Sequence, residues 1–125
     1  MLSDKNAMAT IAAKDLDAGR AFYGGMLGLT PAGPENGEVA LFKSGNSTLV
    51  VYRSELAGTN KATAATWGVG SELDSIVAAL KRAGVRFEHY DFPGSERDGD
   101  VHAFGDFRAV WFKDPDGNIL HINNG

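Results

Sequence analysis

Trp111-Phe112-Lys113-Asp114-Pro115-Asp116-Gly117-Asn118-Ile119-Leu120-His121-Ile122, WFKDPDGNILHI, is two apolar runs joined by five residues of the kinds that build turns. It predicts a strand over Arg108 to Lys113, a turn over Asp114 to Asn118, and a second strand over Ile119 to Ile122. A histidine stands inside the last hydrophobic run. An imidazole between Leu120 and Ile122 is commonly a core or edge residue with one hydrogen bond satisfied, so its position alone assigns no function. Strand alternation puts His121 and Ile119 on one face, and Leu120 and Ile122 on the other.

The same pattern occurs earlier in the chain. Phe42-Lys43, then Gly45-Asn46, then Leu49-Val50-Val51 echoes Phe112-Lys113, Gly117-Asn118 and Ile119 to Ile122. Each copy follows a helical segment. Asp15 to Gly28 opens on an N-cap candidate, Asp15, places Phe22, Tyr23, Met26 and Leu27 on one face, and stops at Gly28. Ser71 to Gly84 repeats this with Ser71 and Asp74 spaced as a capping box, Leu73, Ile76, Val77 and Leu80 apolar, and Gly84 as terminator. Gly19, Gly24 and Gly25 make the first helix the weaker one.

Extended runs over Met8 to Ala13 and Ala64 to Val69 precede the helices. Strands over Thr30 to Ala32, Val39 to Lys43 and Thr48 to Arg53 follow the first helix, with turns at Pro34-Glu35-Asn36-Gly37 and Ser44-Gly45-Asn46. After the second come Val85 to Tyr90, Arg108 to Lys113 and Ile119 to Ile122. The chain therefore reads as one α+β domain of two βαβββ modules, about 7–54 and 62–123, with 55–61 as linker. A repeat of this kind leaves each unit with an apolar face to cover, against its neighbour or a second chain.

Composition narrows the function. With 125 residues, 43% hydrophobic and 22% charged, the chain can bury an ordinary core. A net charge of −4, with Lys and Arg scattered, argues against nucleic acid as a partner. Having no cysteine, the protein has no disulfide, thiolate metal site or thiol nucleophile. Neither a signal-peptide core in the first twenty residues nor a run of membrane-spanning length is found, so the expectation is a soluble cytoplasmic protein away from membranes.

The Asp-Leu-Asp helix start running into Phe22-Tyr23 and Leu27-Gly28-Leu29, the duplicated module and the Phe-Lys-Asp-Pro-Asp-Gly-Asn hairpin together resemble the vicinal oxygen chelate superfamily. That superfamily includes glyoxalase I, extradiol dioxygenases, and fosfomycin- and bleomycin-resistance proteins. The resemblance runs from Met8 to Ile122, and the segment from Tyr90-Asp91-Phe92-Pro93-Gly94 to His121 is similar to its small stand-alone members. It implies a curved, cup-shaped mixed sheet with the helices outside, and a homodimer. It also implies where a metal enzyme of the family would carry ligands: Met8, seven residues before Asp15; Val50 or Val51; Ala65 or Thr66; and His121, seven after Asp114. Of these His121 alone is an imidazole or carboxylate, so the expectation is no metal and no other cofactor.

By the same resemblance Trp111 faces the cup, with Ala109 beside it, while Val110 and Phe112 turn toward the helices. Met8, Tyr52, Thr66, Trp67, Trp111 and His121 are the candidate lining, with the facing of Tyr52 and Trp67 left open by the sequence. From Pro93 to Phe107 runs PGSERDGDVHAFGDF, which reads as a long irregular loop whose His102 and Phe104 are candidates to close over a ligand or else play no part. Three functions remain open. One is metal-independent binding of an aromatic or apolar metabolite or drug; a second is a lyase, isomerase or hydrolase with His121 as catalytic general base; the third is a scaffold without ligand chemistry. A metal-dependent glyoxalase-like enzyme is the further alternative.

Overall fold

The computed structural model describes residues 1–33 and 36–125, so Pro34 and Glu35 of the expected turn lie outside the described residues. The chain divides into two compact units, Met1–Ala57 and Gly58–Gly125.

In the first unit β1 (Ala9–Ala13) leads into α1 (Leu16–Arg20) and then β2 (Thr30–Ala32), β3 (Val39–Ser44) and β4 (Ser47–Arg53). The sheet order is β1-β4-β3-β2, with β1 parallel to β4 and the other pairs antiparallel. Asp15 caps α1, its Oδ1 accepting from the backbone N–H groups of Asp17 at 2.9 Å and Ala18 at 3.4 Å. The regular helix expected as far as Gly28 instead ends at Arg20 and widens into a π-helical stretch, Ala21–Met26, with the Leu27 N–H donating to the Phe22 carbonyl at 2.9 Å. Phe22 and Tyr23 are adjacent in sequence and both buried, their rings edge to face at 5.0 Å. Fewer degrees of rotation per residue let both rings turn inward together. The helix packs over Val51 and Ala13, which lie within ordinary contact of a Cβ built on Gly19. Ile11, Ala40, Phe42 and Leu49 are buried with them.

In the second unit β5 (Thr63–Gly68) is followed by a 3-10 turn, Gly70–Glu72, and α2 (Leu73–Arg82). Then come β6 (Glu96–Asp98), β7 (Val101–Phe104), β8 (Phe107–Lys113) and β9 (Ile119–Asn123), in the order β5-β9-β8-β7-β6 with β5 parallel to β9. The expected capping box does not form. The 3-10 turn takes up Gly70 to Glu72, no side chain caps α2, and the Asp74 carboxylate instead accepts from Arg108 of β8 at 3.3 Å. That contact sets α2 on the Arg108, Val110 and Phe112 face of the sheet. Leu73, Val77 and Leu80 fill the core there with Val110, Phe112, Leu120 and Ile122.

Two further expectations are corrected. Val85 to Tyr90 is not a strand: Phe87 makes one isolated bridge to Phe112, and the Glu88 N–H donates to the Trp111 carbonyl at 2.7 Å. The rest of that edge of β8 is taken by β7, from the segment read as a loop. Within 93–107 two tight hairpins fold on Gly99-Asp100 and Gly105-Asp106, pairing Asp98 with Val101 and Phe104 with Phe107. Both glycines have positive φ, 62° and 61°, as the first position of a type II′ turn requires.

The Asp114–Asn118 turn is locked by its own side chains. Asp114 Oδ1 accepts from the backbone N–H of Asp116 at 3.0 Å and of Asn118 at 2.9 Å, while Oδ2 accepts from Asn118 Nδ2 at 2.8 Å. Asn118 Oδ1 in turn accepts from the Gly58 N–H at 3.4 Å, and a Cβ built on Gly58 would overlap the Asp116 carbonyl oxygen. The start of the second unit is thus pinned to its last hairpin.

Candidate functional site

The repeat becomes explicit in the register. Phe42 pairs with Leu49 and Ala9 with Leu49; Phe112 pairs with Leu120 and Ala65 with Leu120. One residue on, Thr10 pairs with Val50 and Thr66 with His121. His121 therefore has its first-module counterpart in Val50.

His121 lies on the face of the second sheet away from α2, paired with Trp111 across β8 and Thr66 across β5. Its ring stacks on the Trp111 indole, centroids 4.4 Å apart and planes tilted by 32°. Asn123 Oδ1 accepts from the Gly125 N–H at 2.9 Å, which turns the amide Nδ2 toward His121 Nε2 at 3.1 Å. Nε2 is then the acceptor. The ring proton sits on Nδ1, which donates to the Val110 carbonyl at 3.2 Å. Burial lowers the pKa of His121 below its ordinary 6.5, and the bond to Val110 offsets only part of that. The imidazole is neutral at pH 7 with both nitrogens engaged.

Around Trp111 the other aromatic rings gather. His102 of β7 pairs with Ala109, which puts it on the same face, and its ring meets Trp111 edge to face at 5.1 Å. His102 is fully buried; its Nε2 accepts from the Tyr90 N–H at 2.9 Å, and Nδ1 has no hydrogen-bond partner among the described residues. Phe92 lies 5.1 Å from Trp111, 5.8 Å from His102 and 5.8 Å from Phe104, and Tyr90 lies 5.9 Å from Trp111. Burial, followed by the nearby Glu88 carboxylate, raises the Tyr90 phenol. Beside the rings is an open pocket of about 280 Å³ lined by Lys61, Ala62, Thr63, Tyr90, Phe92, Trp111 and Ile119.

The second unit thus brings together His121, Trp111, His102 and Phe104, with Thr66 beside His121 in the ladder. Trp67 does not join them: it pairs with Ile122 and shares that residue's face, toward α2. Met8 and Tyr52 belong to the first unit, and both are exposed; Tyr52 is paired with Ala12 and Val39. Tyr90 and Phe92 were missed as lining residues. The available signal was the aromatic spacing in Tyr90-Asp91-Phe92, which precedes Pro93-Gly94 and so reads as the run into a turn.

The profile of the glyoxalase/bleomycin resistance protein/dioxygenase superfamily matches residues 6–122. The chain belongs to this superfamily. Solved structures carry the glyoxalase fold over nearly its whole length. A lactoylglutathione lyase from Agrobacterium tumefaciens is 21% identical, covering 96% of this chain and 92% of that one with a TM-score of 0.68. The genomically encoded fosfomycin resistance protein of Listeria monocytogenes is 19% identical, covering 100% and 93% with a TM-score of 0.71. A glyoxalase/dioxygenase from Nostoc punctiforme is 21% identical, covering 96% and 90% with a TM-score of 0.71. No curated protein matches the chain at a significant level.

Among these superfamily structures a fosfomycin resistance protein was solved with Mn(II) bound. The residues of the present chain do not fit such an ion. At the positions that the resemblance implies for metal ligands stand the Met8 thioether, aliphatic Val50 and Val51, and Ala65 or Thr66, while both nitrogens of His121 are already bonded. Divalent metals held by oxygen and nitrogen need several donors converging at about 2.0–2.6 Å. Among the described residues no group of three or more His, Cys, Asp or Glu is placed to supply them.

Proposed function

We propose that this superfamily member is a metal-independent small-molecule binding protein that holds an aromatic or largely apolar ligand on the ring-lined face of its second module. The reading is carried by one observation, the cluster of Trp111, Phe92 and Tyr90 bordering an open pocket, with the neutral His121 imidazole stacked on the indole. Flat apolar molecules gain stacking there that aliphatic ones do not. His121, Thr66, His102 and Phe104 shape that face, and no metal or organic cofactor takes part. Support for binding over catalysis comes from His121 itself, since a general base needs a free lone pair and Nε2 is held by Asn123.

A titration of naphthalene-type probes followed by NMR tests the reading: resonances of Trp111 and its ring neighbours should move, and Trp111→Ala should remove the effect. If His121 bonds the ligand, His121→Ala weakens binding by about 1–2 kcal/mol. The enzyme alternative requires a ligand that displaces the Asn123 amide and frees Nε2. It predicts instead a loss of about a hundredfold in rate at nearly unchanged affinity. We further propose a homodimer, since among the described residues each sheet ends in strands, β1 and β2 or β5 and β6, that have one strand neighbour each; sedimentation at the 13.2 kDa monomer mass would rule it out.

A further inference from the structure

We infer that the ligand carries an anionic group, and that Lys61 receives it at the rim of the aromatic pocket. The inference rests on the binding role just proposed and adds the charge class of the molecule. Of the residues lining the pocket, Lys61, Ala62, Thr63, Tyr90, Phe92, Trp111 and Ile119, the lysine is the one that bears a full charge. No carboxylate shares the lining to neutralise it. The other lysines nearby in the unit are committed, Lys81 to Asp100 at 2.9 Å and Lys113 to Glu88 at 3.3 Å, whereas Lys61 makes no ion pair with any described residue.

The backbone of this lysine is also fixed. Asn60 Oδ1 accepts from the Ala62 N–H at 3.0 Å, an Asx-turn with Lys61 at its apex. The next step of the chain, Thr63, enters β5 opposite Ile119 in the pocket wall. The ammonium therefore hangs from a defined point beside the pocket rather than from a loose linker. A planar ring seated against Trp111 and Phe92, with a carboxylate, sulfonate or phosphonate at its edge, matches both the apolar wall and the uncompensated cation.

The test uses the full chain and a matched pair of probes, 2-naphthoate and the neutral 2-naphthamide, titrated by NMR at low and high salt. The expected result is naphthoate bound about threefold to fivefold tighter than naphthamide at low salt, the size of an exposed ion pair. The preference should vanish in Lys61→Gln and at high salt, with naphthamide affinity unchanged by that substitution. Equal affinity of the two probes, or a preference that survives in Lys61→Gln, overturns the inference and leaves the binding role standing. Failure of both probes to shift Trp111 overturns the binding role, and the anion site with it.

Discussion

His121 couples its charge state to folding. In the unfolded chain its pKa is the ordinary 6.5, and in the fold burial lowers it. Between those values the unfolded state binds more protons, so stability rises with pH through that window. The contribution of the neutral ring is whole above about 6.5 and drains away as pH falls toward the folded pKa. Urea denaturation of the native protein should show a midpoint falling from pH 7.5 to 5.5 more steeply than that of His121→Gln. The Asn123 amide makes a sharper test. Its N–H favours neutral Nε2, whereas a carboxylate there favours the imidazolium, so Asn123→Asp should raise the His121 pKa by about 1–3 units in an NMR titration. A lone imidazole seven residues past Asp114 was legible in the sequence because the turn fixes the count. Its saturation was not. Val110 is its neighbour only through the β8–β9 ladder, and Asn123 is oriented by Gly125, which no spacing rule connects to a ring four residues earlier.

Among the elements, the Asp114 turn carries the fold's most specific local instruction. Asp114 is buried and its carboxylate accepts from two backbone amides and one side-chain amide. Replacing it with Ala strips those donors together, so Asp114→Ala should cost about 2–4 kcal/mol in denaturant unfolding. The sequence displayed this turn plainly, since Asp, Pro, Gly and Asn there have no other common use. It did not display the hairpins at Gly99-Asp100 and Gly105-Asp106, because their short strands carry charge and little apolar pattern, and Glu96–Asp98 is exposed throughout. Conversely Val85 to Tyr90 alternates like a strand and gains only one bridge, because β7 already occupies the adjoining stretch of β8. Edge pairing is a competition between segments, and a local pattern does not reveal the competitor.

At the scale of the whole chain, the duplication was readable from Phe42-Lys43 and Phe112-Lys113, whose phenylalanines are buried at equivalent places in both sheets. What the repeat holds constant is the backbone; what it lets drift is the side chain at the equivalent of His121, which is Val50. Of the positions that the resemblance implies for metal ligands, His121 alone carries an imidazole or carboxylate. Adding Mn(II), Ni(II) or Zn(II) to the protein should therefore leave its Tm unchanged, whereas a bound ion would raise it by mass action. The strands at Glu96–Asp98 and Val101–Phe104 also bear on time. A lid must open before every arrival and departure, and so sets the tempo of exchange. Amides tied into a ladder keep no such clock. A probe stacked on Trp111 should come and go at a pace set by collision and by stacking alone, its resonances sliding continuously through a titration instead of splitting into two sets.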